Sequence, residues 1–100
     1  MLGGIPSFSS SASAANCTDV DGTTATISAD CTDLDIQGDN ADVTINSGVT
    51  VSGSSVAVNS TGSGAIEAIT NNGTINVTGK TAFGNDTTIN TLTNTGTISA

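Results

Sequence analysis

Asp19, Asp21, Asp30, Asp33, Asp35, Asp39 and Asp42 place seven carboxylates in the first half of this chain. Two groupings could supply oxygen ligands to calcium, which takes six to eight. They are Asp19-Val20-Asp21-Gly22 and Asp39-Asn40-Ala41-Asp42. Neither continues as a calcium loop, because no Glu follows Gly22 at the spacing an EF-hand needs. No metal site is assigned, and Asp19, Asp21, Asp39 and Asp42 read as a solvated acidic cap that discourages edge-to-edge pairing. Asp33 and Asp35, two apart, would share one strand face and could act as a glycosidase carboxylate pair. Further catalytic groups are scarce. The chain has no His to act as general base and no Arg, and Lys80 is its one basic side chain. A serine triad cannot be assembled, and a Ser-Lys pair would rest on Lys80 alone. The acids therefore read as structural, the chain as non-enzymatic, and no cofactor is implied.

Cys17 and Cys31 are the only cysteines. With no His, a zinc site would lack its remaining ligands. Two buried thiols or a disulfide remain. An exported chain favours the disulfide, since oxidising compartments preserve it. Residues 1–14 carry that suggestion of export. Met1 to Phe8 resembles the end of an apolar stretch with a Pro break, and Ala12-Ser13-Ala14 fits the small-x-small rule for a signal cleavage site before Ala15. The basic n-region of a full signal is missing, so a Ser/Ala-rich leader without fixed structure is the alternative.

The net charge of −8 argues against nucleic acid, because there is no basic patch to displace counterions. It also argues against an anionic membrane surface. No segment has the length and apolarity to span a bilayer. Five Asn-x-Ser/Thr sequons, at Asn16, Asn59, Asn72, Asn76 and Asn85, follow largely from a Thr- and Asn-rich composition.

These residues must be positioned by strands. From Asn16 onward the apolar residues alternate with Thr, Ser and Asn, and Gly, Asn or Asp interrupts the pattern at short intervals. The inward candidates are Ile27, Leu34, Ile36, Val43, Ile45, Val49, Val51, Val56, Val58, Ile66, Ile69, Ile75, Val77, Ile89, Leu92 and Ile98. The side chains are lean: 35% are hydrophobic, and two Phe are the only aromatics. A thin stacked interior suits small aliphatics better than a compact sandwich does. One segment is nearly copied. Ile69-Thr70-Asn71-Asn72-Gly73-Thr74-Ile75 recurs as Leu92-Thr93-Asn94-Thr95-Gly96-Thr97-Ile98. Such a period signals units that bury a core only by stacking, so Ile75 is expected on Ile98, Asn71 on Asn94 and Gly73 near Gly96. The expected fold is all-β, a parallel β-helix of about three to four coils. Residues 15–38 would form the acidic N-terminal cap with a Cys17–Cys31 disulfide, and 39–100 the coils.

The two copies, Ala68 to Ile75 and Asn90 to Ile98, resemble the N-x-G-x-I coils of autotransporter passenger domains. That resemblance covers residues 16–100. It implies a right-handed β-helix exported to the surface of Gram-negative bacteria. It also likens the Cys17–Cys31 region to the disulfide-bearing cap of some such proteins. The function it implies is that of a secreted or cell-surface adhesin or stalk, reaching a host or neighbouring cell. Its partners would be further coils of a longer chain, without insertion of this part into a membrane. Two other roles are open. If Ala100 is the natural end, the last repeat lacks a covering segment and has no charge after Asp86, so the chain could stack head to tail on copies of itself as a filament, with residues 1–14 as a possible donated strand. Thr91, Thr93, Thr95 and Thr97 would form a Thr array of the kind ice-binding solenoids use, if that stretch were one unbroken strand.

Overall fold

The computed structural model describes residues 15–53, 56–60, 65–77, 81–84 and 88–100. Residues 1–14, the side chain of Val56 and Lys80 lie outside the described set. Every named element is a strand: β1 (Thr24–Ile27), β2 (Cys31–Thr32), β3 (Leu34–Ile36), β4 (Asp42–Ile45), β5 (Thr50–Gly53), β6 (Val56–Ser60), β7 (Ile66–Asn71), β8 (Thr74–Val77), β9 (Thr81–Phe83), β10 (Ile89–Asn94) and β11 (Thr97–Ser99). The chain is all-β among the described residues.

The strands form three sheets, and every pairing is parallel. One sheet has the order β1-β4-β7-β10, the second β11-β8-β5-β2 and the third β3-β6-β9. Each sheet therefore takes one strand in three, in the order the chain supplies them. The distance between partners varies. Thr24 and its partner Asp42 are eighteen residues apart, Asp42 and Ala68 twenty-six, and Ala68 and Thr91 twenty-three. The strands stay in register while the connections absorb the difference.

Register turns the alternating sequence into columns. Ala25, Val43, Ile69 and Leu92 align across the first sheet, beside Ile27, Ile45, Asn71 and Asn94. Cys31, Val51, Ile75 and Ile98 align across the second, and Leu34, Val58 and Phe83 across the third. The middle members of these columns are buried, as is expected where β-branched residues stack on one face. Burial of each such Val, Leu or Ile contributes roughly 1.5–3 kcal/mol, which makes the columns the main support of the fold.

Left-handed corners connect the columns. Asp33 (φ 59°), Asn40 (φ 57°) and Gly48 (φ 83°) take a conformation that suits Gly, Asn and Asp. At Asp33 a single corner residue separates β2 from β3. Cys31 and Leu34, three apart, both face inward as a result. Asp33 is therefore not on the strand that carries Asp35, and the expected shared face does not form.

The two ends differ. Segment 15–20 lies across β2 and β3: Asn16 bridges Thr32, and Val20 bridges Ile36. Cys17 N donates to Thr32 O at 2.7 Å, and Val20 N donates to Asp35 O at 2.9 Å. The Cys17–Cys31 disulfide ties this segment to β2, with the Cα atoms 4.8 Å apart. At the other end, β10 and β11 each pair on one side only. Leu92, an inward candidate by sequence, is 44% exposed there. Ile89 and Ile98 are only partly buried.

Candidate functional site

The densest polar arrangement is the turn between β7 and β8, together with its copy between β10 and β11. Asn71 is the one buried polar residue among the described residues. It sits where its column has Ile27 and Ile45 below and Asn94 above. An amide can replace an isoleucine there because the arc meets all its hydrogen-bonding needs. Asn71 Nδ2 donates to Asn94 Oδ1 at 2.8 Å and to Thr97 O at 3.0 Å. Asn71 Oδ1 accepts from Gly73 N at 3.2 Å. The next arc differs, with Asn94 Nδ2 donating to Gly96 O at 3.3 Å.

Other hydrogen bonds connect the same two arcs. Thr95 Oγ1 donates to Asn72 Oδ1 at 2.7 Å, and Ser99 Oγ to Asn76 Oδ1 at 2.8 Å. The pairs expected from the repeat come together: Ile75 is the register partner of Ile98 and Asn71 of Asn94. Gly73 and Gly96 touch so closely that a Cβ on Gly96 would lie 1.9 Å from Gly73 O. The arc is a structural lock with no group able to transfer a proton at neutral pH.

The lock gives a quantitative expectation. Asn71→Ala leaves Gly73 N and Thr97 O without their side-chain partner, a loss of about 2 kcal/mol. Asn94→Ala removes the Asn71 acceptor and an exposed bond to Gly96 O, and costs about 0.5 kcal/mol. In a double-mutant cycle read by urea unfolding, the two losses should not add, because they share one hydrogen bond. Strict additivity would show that the Asn71–Asn94 contact carries no energy.

The acidic residues do not converge. No group of three or more His, Cys, Asp or Glu among the described residues is placed to hold a metal ion. Asp19 instead accepts from Gln37 Nε2 at 3.1 Å, and Asp30 Oδ1 accepts from Thr50 N at 2.8 Å. Asp21 is exposed before β1, and Asp42 is exposed at the start of β4 in register with Thr24. Asp39 lies in the turn beside Asn40. Asp35 points outward from β3 in register with Asn59, and its Oδ1 is shielded without a hydrogen-bond partner. Asp33, at its corner, is exposed. Two shallow cavities of about 290 Å³ each flank β1, one beside Cys17 and Asp30 and the other beside Val20 and Asp21. Neither holds a cluster of titratable groups.

Sequence reading missed the threonine columns. Thr26, Thr44, Thr70 and Thr93 align across all four strands of the first sheet, and Thr50, Thr74 and Thr97 across the second. The signal was available, since each Thr lies one or two residues from an inward aliphatic. Reading along one strand hid it. Thr91, Thr93, Thr95 and Thr97 do not form the single row that an ice-binding array on that stretch would require. β10 ends at Asn94 and β11 begins at Thr97, with a bend between. Thr93 and Thr97 therefore belong to different sheets.

Fold and site together define the class: an all-β chain of in-register parallel sheets with a disulfide at one end. No family model, no curated protein and no solved structure matches the chain.

Proposed function

We propose that the three sheets are the faces of a closed, right-handed parallel β-helix of three to four coils, and that this rod is a non-enzymatic, exported structural segment of a bacterial surface protein. In this reading it is the N-terminal part of an autotransporter-like adhesin or stalk, holding a binding region away from the cell. The observation that carries the proposal is the strict recurrence of sheet order and register, strand by strand, over β1 to β11. A recurring cross-section suits a spacer, because each added coil lengthens the rod by about 4.8 Å without a new core design. The Cys17–Cys31 disulfide agrees with an oxidising destination.

Antibodies against the chain test the location. Intact cells of the source organism should label, and externally added protease should remove the signal. Labelling only after permeabilisation would overturn the proposal. The same cells should lose attachment to a host or neighbouring surface when the protein is deleted.

A second reading, the head-to-tail filament, draws on the exposed Leu92 at the one-sided β10–β11 edge. The opposite end answers this edge poorly. β2 and β3 already pair with Asn16 and Val20, which leaves β1 to accept it. β1 also presents Ile27 where Asn94 would need a polar partner. Sedimentation at high concentration separates the two readings: a monomer favours the stalk, and concentration-dependent fibres favour the filament.

A further inference from the structure

Asn72-Gly73 is the only Asn-Gly pair in the chain. Glycine after asparagine favours intramolecular attack, because no Cβ hinders the approach of the backbone nitrogen to the side-chain amide. We propose that this pair is a latent self-modification site. The contacts to β10 and β11 keep it silent, and it deamidates when those contacts break.

The reaction needs only water. Gly73 N loses its proton and attacks Asn72 Cγ. The new N–Cγ bond forms as the Cγ–Nδ2 bond breaks and ammonia leaves, giving a cyclic imide. Water then opens either carbonyl of the ring. One opening leaves Asp at position 72, and the other leaves isoaspartate, with the main chain routed through the former side chain.

The attacking nitrogen and the side-chain carbonyl both have other partners in the closed arc. Gly73 N is committed to Asn71 Oδ1 at 3.2 Å. Asn71 is itself fixed by Asn94 Oδ1 and Thr97 O, which belong to the outer arc. Asn72 Oδ1 accepts from Thr95 Oγ1 at 2.7 Å, which fixes the side-chain amide against the outer arc. Asn72 N donates to Ile45 O at 2.9 Å, which fixes the backbone on the other side. The Asn72 side chain is nonetheless exposed to the water that the second step consumes.

The restraint from the outer arc is the conditional part. β10 and β11 carry mostly exposed side chains, so few buried contacts hold them against β7 and β8. Opening removes Thr95 from Asn72, and removes Asn94 and Thr97 from Asn71. The product cannot close normally. Isoaspartate adds a main-chain atom where there is no slack: a Cβ on Gly73 would already lie 2.2 Å from Val49 O, and one on Gly96 1.9 Å from Gly73 O. A transient opening thereby becomes a permanent unseating of β11.

The test incubates the oxidised, folded chain at mildly alkaline pH and follows Asn72 by mass-spectrometric peptide mapping, with isoaspartate assigned by fragmentation. The same chain unfolded in urea gives the reference rate. Asn72 should deamidate on the order of tenfold more slowly in the folded chain than in urea, the factor one or two lost hydrogen bonds would supply. Thr95→Ala, a surface change, should keep the strand circular dichroism and accelerate the reaction roughly fivefold. Asn94→Ala, which removes one of the two outer-arc acceptors that hold Asn71, should accelerate it by a smaller factor, about twofold. Equal rates for the folded and unfolded chain overturn the proposal. So do Thr95→Ala and Asn94→Ala chains that keep both the strand signal and the wild-type rate.

Discussion

Gly73→Ala should be more damaging than the alanine changes at Gly22, Gly48 and Gly96. Its Cβ would lie 2.2 Å from Val49 O and 2.5 Å from Asn46 O, both backbone atoms of the preceding arc. Backbone cannot rotate aside as a flexible side chain can, so the arcs must separate. Overpacking typically costs 1–3 kcal/mol. A rigid double clash belongs at the upper end, about 3 kcal/mol, and it also strains the Gly73 N bond to Asn71. Gly96→Ala meets Gly73 O at 1.9 Å but lies on the terminal arc. β10 and β11 carry mostly exposed side chains and can shift, which limits the cost to about 1–2 kcal/mol. Two glycines serve as controls. A Cβ on Gly22 meets nothing within 4 Å, so Gly22→Ala should be neutral or slightly stabilising. Gly48 also has open space but φ +83°, so its alanine variant should lose about 1 kcal/mol from backbone strain alone. Urea midpoints should rank Gly22, Gly48 and Gly73 in falling order. A Gly73→Ala chain as stable as Gly22→Ala would show that the arcs are not in contact as described.

The legible part of this fold was whatever repeats. The copies around Asn71 and Asn94 fixed which residues meet, because a parallel stack places identical positions on one another. The inward aliphatics were equally readable, since alternation survives every change in loop length. What escaped was short or lacked contrast. β2 holds two residues, and its inward Cys31 is followed three residues later by inward Leu34, a spacing that breaks alternation at Asp33. β9, Thr81–Phe83, is half-buried throughout and offers no polar-apolar rhythm. The Asp33–Asp35 pairing was lost for the same reason, because a left-handed residue cannot be seen in residue types that also occur in strands. Leu92 occupies an inward column and is still 44% exposed, because inwardness depends on a neighbour on the far side. The candidate site was legible as geometry and not as function. Asparagine, glycine and threonine in register specify how arcs stack.

Removing the Cys17–Cys31 disulfide should have a comparably large effect at the opposite end. The bond joins cysteines fourteen positions apart. Closing a loop of that size contributes about 3 kcal/mol in the chain-entropy treatment. The burial of both cysteines, at 6% and 8% exposure, adds a packing role that serine would serve poorly. The paired Cys17→Ser, Cys31→Ser chain should therefore unfold at a clearly lower urea concentration. Its weakness should also be local. Segment 15–20 is held by the disulfide and by backbone bonds from Cys17 N, Val20 N, Thr32 N and Gln37 N. Without the covalent tie, ordering these few residues has to be offset by hydrogen bonds that are each modest in net terms. Hydrogen exchange should accelerate first at Cys17, Val20 and Thr32 in the reduced wild-type chain. The Gly73 amide, bonded to Asn71 at the start of β8 and two strands beyond β2 in its sheet, should keep its wild-type protection when the disulfide is reduced. In a stack where each unit touches only its neighbours, a defect at one end need not propagate to the other. Simultaneous loss of protection at both ends would instead mean that the sheets unfold as one cooperative unit, and that the disulfide stabilises the whole rather than its cap.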